Sequence, residues 1–299
     1  MGQVLFQKYR PSTFDELHGQ ECVVKSLKNA VKCGSVGQVY LFCGLRGTGK
    51  TSAARILSKA VNCENNVDGN PCNRCNSCLS GGSGANGIFE LDAASNNSVD
   101  DIRGIIEQVR FIPAFSKFNV FIIDEVHMLS QSAFNAFLKT LEEPPVNVIF
   151  ILATTEYSKV PSTVVSRCQV FNFRNISERD IVNNLRNILE KEKVQYQDSA
   201  LNIIAQKADG SMRDALSITE SLISYSNSIT YDTTVRLLGV LGADYYLELC
   251  QYIIKKDSYR VILYFDKIIQ SGYDGVCFLN GLLNHFRNLL LVKSDNVSL

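Results

Sequence analysis

Gly44-Leu45-Arg46-Gly47-Thr48-Gly49-Lys50-Thr51 is the stretch on which the reading of this chain turns. It spells G-x-x-x-x-G-K-T, and the apolar run Gln38-Val39-Tyr40-Leu41-Phe42-Cys43 feeds it. The glycines let the backbone curl until successive N–H groups face one anion. A helix predicted over residues 50–59 adds the positive end of its dipole. Strand, loop and helix in that order make a phosphate-cradling P-loop; the bland alternative is a chance Gly-rich turn. In the P-loop reading Gly44, Leu45, Arg46, Gly47, Thr48 and Gly49 form the cradle. Lys50 reaches the β- and γ-phosphates of ATP, and the Thr51 hydroxyl ligates Mg²⁺.

Downstream, Val120-Phe121-Ile122-Ile123-Asp124-Glu125 is an apolar run closing on two acids. That is the form of a buried parallel strand delivering carboxylates to its C-terminal edge. Asp124 is expected in the Mg²⁺ shell, and Glu125 is expected to orient and deprotonate the attacking water. Ile88-Phe89-Glu90-Leu91-Asp92, Val148-Ile149-Phe150-Ile151-Leu152-Ala153 and residues 169–173 complete five strands. The run at 148–153 ends in Thr154-Thr155, a polar end expected beside the nucleotide. Val23, Val24, Leu27, Ala30 and Val31 keep helical spacing up to Gly34, which suits either a flank of the site or plain packing. Ser98 with Asp101 resembles a capping box for a helix over 99–109 that carries Arg103 and leads to Arg110. Arg103 is a candidate phosphate contact, weighed against an ordinary solvated helix.

Between the P-loop helix and the second strand, Cys63, Cys72, Cys75 and Cys78 give C-x8-C-x2-C-x2-C. Four thiolates with two tight gaps suit closed, tetrahedral Zn²⁺, and no His or acid completes an open site, so the role expected is structural. The insert covers about 62–80, and a flexible Gly/Ser-rich return over 79–87 follows. Cys22, Cys33, Cys43, Cys168, Cys250 and Cys277 are expected to be small buried hydrophobes.

The 299 residues carry 30 Lys+Arg against 30 Asp+Glu, so any nucleic acid is held by a local patch. No apolar leader and no run of 18 apolar residues is found, which predicts a cytoplasmic protein without a membrane partner. From Arg174 onward the pattern is helical throughout. Ser177 with Asp180 opens one helix, residues 200–208 and 212–225 give two more, and 233–238 a fourth. Arg213 sits in a first turn, where the helix dipole disfavours a cation, and Arg167 has no obvious partner nearby.

Taken together, Lys8-Tyr9-Arg10-Pro11, His18-Gly19-Gln20-Glu21, the P-loop, the four-Cys insert, Asp124-Glu125-Val126-His127-Met128-Leu129, Leu138-Lys139-Thr140-Leu141-Glu142-Glu143-Pro144-Pro145, Leu152-Ala153-Thr154-Thr155, Ser166-Arg167-Cys168 and Gly210-Ser211-Met212-Arg213-Asp214 resemble the gamma/tau family of bacterial DNA polymerase III clamp-loader subunits, within the AAA+ ATPases. The resemblance implies an α/β AAA+ core over 1–174 with a five-stranded parallel sheet and the zinc insert. It implies an all-helical lid over 175–240 and the start of a helical collar over 241–299, inside which the chain stops. It also implies roles. Thr155 falls on the sensor that feels the γ-phosphate, and Arg213 on a second sensor reaching it from the lid. Arg167 falls on an arginine finger for a neighbour's ATP, and Tyr9 and Arg10 on the segment bordering the adenine. Implied partners are the delta and delta-prime subunits, further gamma/tau copies, the sliding clamp and primer–template DNA. Where family members often carry a basic residue, this chain has Asn96-Asn97.

Other readings compete. A DExH-type helicase fits Asp124-Glu125-Val126-His127 but carries a second strand-rich domain, and residues 174–299 read as helical. A branch-migration motor fits the core but not the zinc insert. A non-hydrolysing clamp-loader subunit conflicts with intact Lys50, Thr51, Asp124 and Glu125. A nucleic-acid-binding zinc module that merely holds ATP is separated by whether clamp and primed DNA stimulate turnover.

Overall fold

Five strands, β1 Val39–Cys43, β2 Ile88–Asp92, β3 Asn119–Asp124, β4 Val148–Thr154 and β5 Gln169–Asn172, pair in parallel in the order β2-β3-β4-β1-β5. The structure is a computed structural model that describes residues 4–79, 87–109, 116–226, 228–239 and 243–293. Every residue of β1 and β4 is buried, as expected of strands covered on both faces. Strand alternation divides their side chains between two cores. On one face Leu41, Phe121, Ile123, Phe150 and Leu152 pack with Ile102 and Ile105 of α5 (Val99–Val109) and with Phe134 and Phe137 of α6 (Gln131–Glu142). On the other, Tyr40, Phe42, Val120, Ile122, Ile149 and Ile151 pack with Leu27 of α2 (Glu21–Lys32) and with Ala53, Ile56 and Leu57 of α3 (Lys50–Asn62). Each of the Leu, Ile, Val and Phe side chains among them stabilises the fold by about 1.5–3 kcal/mol. The register sets Cys43 of β1 beside Thr154 of β4, and Asp92 of β2 beside Asp124 of β3, so polar strand ends share one edge.

The remaining helices are α1 Leu5–Lys8, α4 Asn76–Leu79, α7 Ser162–Val165, α8 Glu178–Glu192, α9 Asp198–Ala208, α10 Met212–Tyr225, α11 Tyr231–Leu238, α12 Ala243–Ile254, α13 Ser258–Gln270 and α14 Gly275–Lys293. The chain forms two compact units, Met1–Ile188 with Ala205–Ile218, and Leu189–Ile204 with Thr219–Leu299. In the second unit Tyr246, Leu249, Ile268 and Phe278 form a buried cluster. A complete capping box, Thr230 with Thr233, starts α11 there.

Three expectations are corrected. The part after Arg174 is not helical throughout, because β6 Gln195–Tyr196 and β7 Ser228–Ile229 form a short parallel pair. Two-residue strands leave no periodicity to read. Cys22 and Cys33 are exposed, on the solvent side and at the end of α2, and Cys168 is half-buried, whereas Cys43 and Cys250 are buried as expected. Arg167 does have a partner, Glu142, described below. Arg110, most of the Gly/Ser-rich return and the side chain of Cys277 lie outside the described residues.

Candidate nucleotide site and cysteine cluster

β1 delivers Gly44-Leu45-Arg46-Gly47-Thr48-Gly49 to the start of α3 at the carboxyl edge of the sheet. Gly49 caps α3 with φ 103°, and Gly47 has φ 78°, a region L side chains rarely adopt. A Cβ on Gly47 would fall 2.0 Å from Ser211 Oγ, so this glycine admits the turn before α10. There the Met212 N–H donates to Gly47 O at 3.2 Å, and Ser211 Oγ caps α10 by accepting from the Asp214 N–H. The Thr48 hydroxyl donates to Leu45 O at 2.8 Å, while Leu45 and Arg46 are exposed at the tip. Lys50 is buried, and its ammonium donates to Gly44 O and Leu45 O, both at 2.9 Å. Burial lowers its pKa, opposed by the carboxylates of Glu125 and Asp124.

The Thr51 hydroxyl donates to Asp124 Oδ2 at 2.7 Å. The two expected Mg²⁺ ligands are therefore neighbours, and paired hard oxygens suit that ion. Glu125 leaves β3 in the left-handed region, φ 49° and ψ 45°, which swings its side chain off the strand direction. Its Oε2 accepts from the Thr155 hydroxyl at 2.9 Å and the Thr155 N–H at 3.3 Å. His127, whose side chain is only 6% exposed, sets Nδ1 3.4 Å from the same oxygen and 3.1 Å from Thr154 Oγ1. Its Nε2 lies 3.3 Å from Glu156 Oε1. Reading the sequence missed this imidazole between two carboxylates; an Asp-Glu-x-His spelling beside a Thr-Thr-Glu strand end is the signal that holds it.

Arg10 is partly buried and its pKa is lowered, first by burial and then by the neighbouring charge of Arg55, with Arg213 adding to it; Glu90 and Asp124 oppose. Arg10 thus belongs to the same charged edge. Arg55 is held by Glu90 through Nε at 2.8 Å and Nη2 at 2.6 Å, a pair unforeseen from spacing. The Arg213 guanidinium lies 5.1 Å from the Phe6 ring centroid, a cation–π distance. Tyr9 follows α1 and is partly buried, with the Lys8 ammonium 5.5 Å from its ring. Two expected residues stand apart from this group's bonds. Arg167, just past α7, donates to Glu142 Oε1 at 2.5 Å and to Thr163 O and Ser166 Oγ. Arg103 is exposed on α5 and pairs with Asp100 at 3.2 Å.

The Sγ atoms of Cys63, Cys72, Cys75 and Cys78 all lie within 4.8 Å of one another. Two separations, 3.9 Å for Cys72–Cys78 and 4.0 Å for Cys63–Cys75, approach the edge of about 3.8 Å of a tetrahedron with ~2.3 Å Zn–S bonds. The Cys72 sulfur accepts N–H bonds from Arg74 and Cys75 at 3.5 and 3.3 Å, and these pull its pKa down to about 6. Burial raises Cys63 and Cys78 instead. The donor set therefore fits a soft, thiolate-bound cation.

Over 98% of its length the chain is 43% identical to the DNA polymerase III subunit tau of Bacillus subtilis, covering 52% of that protein. Over 97% of its length it is 38% identical to the DNA polymerase III subunit gamma of Buchnera aphidicola subsp. Baizongia pistaciae, covering 79% of it. The chain belongs to the gamma/tau family of DNA polymerase III subunits. With the tau subunit of Escherichia coli it shares 38% identity over 99% of its length and 46% of that protein, so it spans about half the length of its tau relatives. A family model described as "DNA polymerase III, delta subunit" matches residues 19–177, and one described as "DNA polymerase III clamp loader subunit, ATPase lid domain" matches 180–228. Among solved structures, the Thermotoga maritima RuvB Holliday junction branch migration motor aligns over 89% of this chain and 86% of its own, with TM-score 0.58 and 20% identity. That likeness shows the fold alone, the AAA+ fold that the gamma/tau motifs require. No helix among the described residues is long and apolar enough to cross a membrane.

Proposed function

We propose that this chain is the ATP-driven motor subunit of a DNA polymerase III clamp loader, binding and hydrolysing ATP to open a sliding clamp and load it on primer–template DNA. One observation carries the reading. A buried lysine, a hydroxyl–carboxylate pair and a second, separately held carboxylate meet at one sheet edge over a glycine loop. Lys50 turns from the loop carbonyls to the β- and γ-phosphates. Thr51 and Asp124 would hold Mg²⁺, which would supply charge neutralisation for the phosphates. Glu125, braced by Thr155, orients the attacking water and takes its proton. Tyr9 and Arg10 border the base. Arg213, at the start of the helix docked on Gly47, senses the γ-phosphate from the lid. Arg167, held among Glu142, Thr163 and Ser166 rather than on its own P-loop, serves the ATP of a neighbouring subunit. The four cysteines hold a structural Zn²⁺. Arg103 is the proposed DNA-phosphate contact.

In this reading residues 1–174 are the ATPase core, 175–240 the lid and 241–299 part of a collar shared with delta, delta-prime and further gamma/tau copies, in the cytoplasm. The deciding experiment is reconstitution with those subunits, clamp and primed DNA. ATP turnover should rise on adding clamp and primed DNA together. Arg167→Ala should leave this chain's own ATP affinity intact and lower the complex's turnover roughly 10³–10⁵-fold, the range of arginine fingers elsewhere. An isolated chain that hydrolyses ATP at the complex's rate would refute the role in trans.

A further inference from the structure

The four-cysteine insert makes bonds that its own fold does not need. Between Cys63 and Cys72 the chain turns at Asp68 and Gly69, φ 54° and 79°, closed by the reciprocal backbone pair of Val67 and Asn70. Gly69 is buried, and a Cβ there would lie 2.7 Å from Lys28 O of α2. The turn therefore presses on α2, and only glycine allows the approach. Asn70 then uses both ends of its amide on a segment far away in sequence. Its Oδ1 accepts from the Phe14 N–H at 2.9 Å, and its Nδ2 donates to Asp15 Oδ2 at 2.7 Å. Asn73 Nδ2 donates to Ser12 O at 3.3 Å. The Lys28 ammonium bridges the two pieces, 2.8 Å from Asp15 and 2.9 Å from Asp68, and Lys32 also pairs with Asp68.

The segment gripped in this way leads to the nucleotide edge in both directions. Arg10 and Tyr9 stand just ahead of Ser12. Phe14 is fully buried in the core that contains Ala53 and Leu57 of α3. Leu17 Cδ2 comes within 3.2 Å of where a Cβ on Gly49 would sit. Gln20 Nε2 donates to Thr48 O at 3.3 Å and to Arg174 O at 2.7 Å. From the cysteine turn to the P-loop there is thus an unbroken series of bonds and packed side chains.

We propose that the cysteine insert is a clasp on the N-terminal border of the nucleotide site, and that Asn70 is the positioning residue through which its metal-folded state sets nucleotide affinity. The inference rests on the reading that Tyr9, Arg10 and the P-loop hold ATP. Folding of residues 63–78 around the ion fixes the turn at 67–70. The turn fixes residues 12–15, and these hold Arg10 on one side and Leu17 on the other in place. Asn70 touches no phosphate and no base; it acts only through Phe14 and Asp15.

The test titrates the whole chain with a fluorescent N-methylanthraniloyl ATP, while thermal midpoint and zinc content are followed separately. Asn70→Ala should weaken binding about three- to tenfold with zinc content unchanged. Asn70→Asp should do the same, because the introduced carboxylate repels that of Asp15. The reciprocal pair Asn70→Asp with Asp15→Asn re-creates one donor and one acceptor at the contact and should return affinity to within about twofold of the parent. Stripping zinc should weaken the parent by a similar factor and speed hydrogen exchange over residues 12–17, yet add little to Asn70→Ala. Parent-like affinity in Asn70→Ala, or full additivity of the substitution and zinc removal, would overturn the clasp while leaving the ATP site standing. A parent chain that binds no nucleotide would overturn the site itself and the clasp with it.

Discussion

Two loops of this protein are shaped to take ions, and they are built in opposite ways. The P-loop is held by its own chain: Thr48 and Lys50 donate to its carbonyls, Met212 donates to Gly47, and the fully buried β1 anchors it. The cysteine loop contains one short helix and one two-residue bridge, and few of its residues are buried. Its sulfurs are matched to a cation that would itself supply the core. The difference teaches where each loop can draw its order from: backbone hydrogen bonds and packing in the first, thiolates placed for coordination in the second. Changing what the P-loop binds should therefore alter chemistry and leave the fold; changing what the cysteines bind should alter local fold.

The largest effect expected is on chemistry alone. Glu125→Gln should keep ATP binding and zinc content while turnover falls roughly 10²–10⁴-fold, the usual contribution of a general base; single-turnover hydrolysis in the assembled complex checks it. Undiminished turnover would remove Glu125 as the base. Next, Cys72→Ser or a strong chelator should release zinc and open residues 63–79 to proteolysis. The sheet should melt within about 2–4 °C of the parent, the shift that ~1 kcal/mol produces in a domain of this size. A collapse of the whole core would break the comparison, because the insert would then be structural for everything. Gly47→Ala tests the other loop's independence. At φ 78°, with Ser211 in the way, it should cost about 1–3 kcal/mol in denaturant unfolding. The smallest effect concerns the ion pairs behind the cysteine turn. Lys28, then Lys32, hold the Asp68 carboxyl down at about 2. A carboxylate whose pKa is depressed on folding stabilises above its unfolded value near 4 and loses that stabilisation as pH falls through the folded value. The pairs should thus be insensitive to pH between 5 and 8 and be lost between about pH 4 and 2. A carbon-detected titration of Asp68 gives its midpoint, and one near 4 would mean that the lysines do not hold it.

What could be read in advance was what local chemistry fixes. Five strands formed where five were read: β1, β3 and β4 are buried nearly throughout, and the more exposed β2 and β5 pair alongside them in parallel. Gly44 to Thr51 formed the loop because its glycines leave few other paths. The Ser98–Asp101 pair capped its helix as its spacing required. What escaped reading depends on distant neighbours. α3 runs beyond 59 to Asn62 because Ala60 and Val61 are buried and Asn62 bonds both backbone groups of Phe118. Glu142 lies 25 residues from Arg167, and Asn70 lies 55 from Asp15. No periodicity encodes such pairs. Ser211 looked like part of a motif and proved to be a helix cap against the P-loop. The placement of the candidate site on the sheet edge was legible; the brace around Glu125, through Thr155 and His127, was not.

Glu125 has one more consequence. A glutamate in left-handed backbone, φ 49°, is costlier than glycine there by about 1–2 kcal/mol. A library screened for thermal robustness alone should therefore drift toward glycine at this position, gaining melting temperature as it loses the proposed base. Sequences chosen for sturdiness and sequences chosen for ATP turnover should part company at that single residue if Glu125 is the base proposed above.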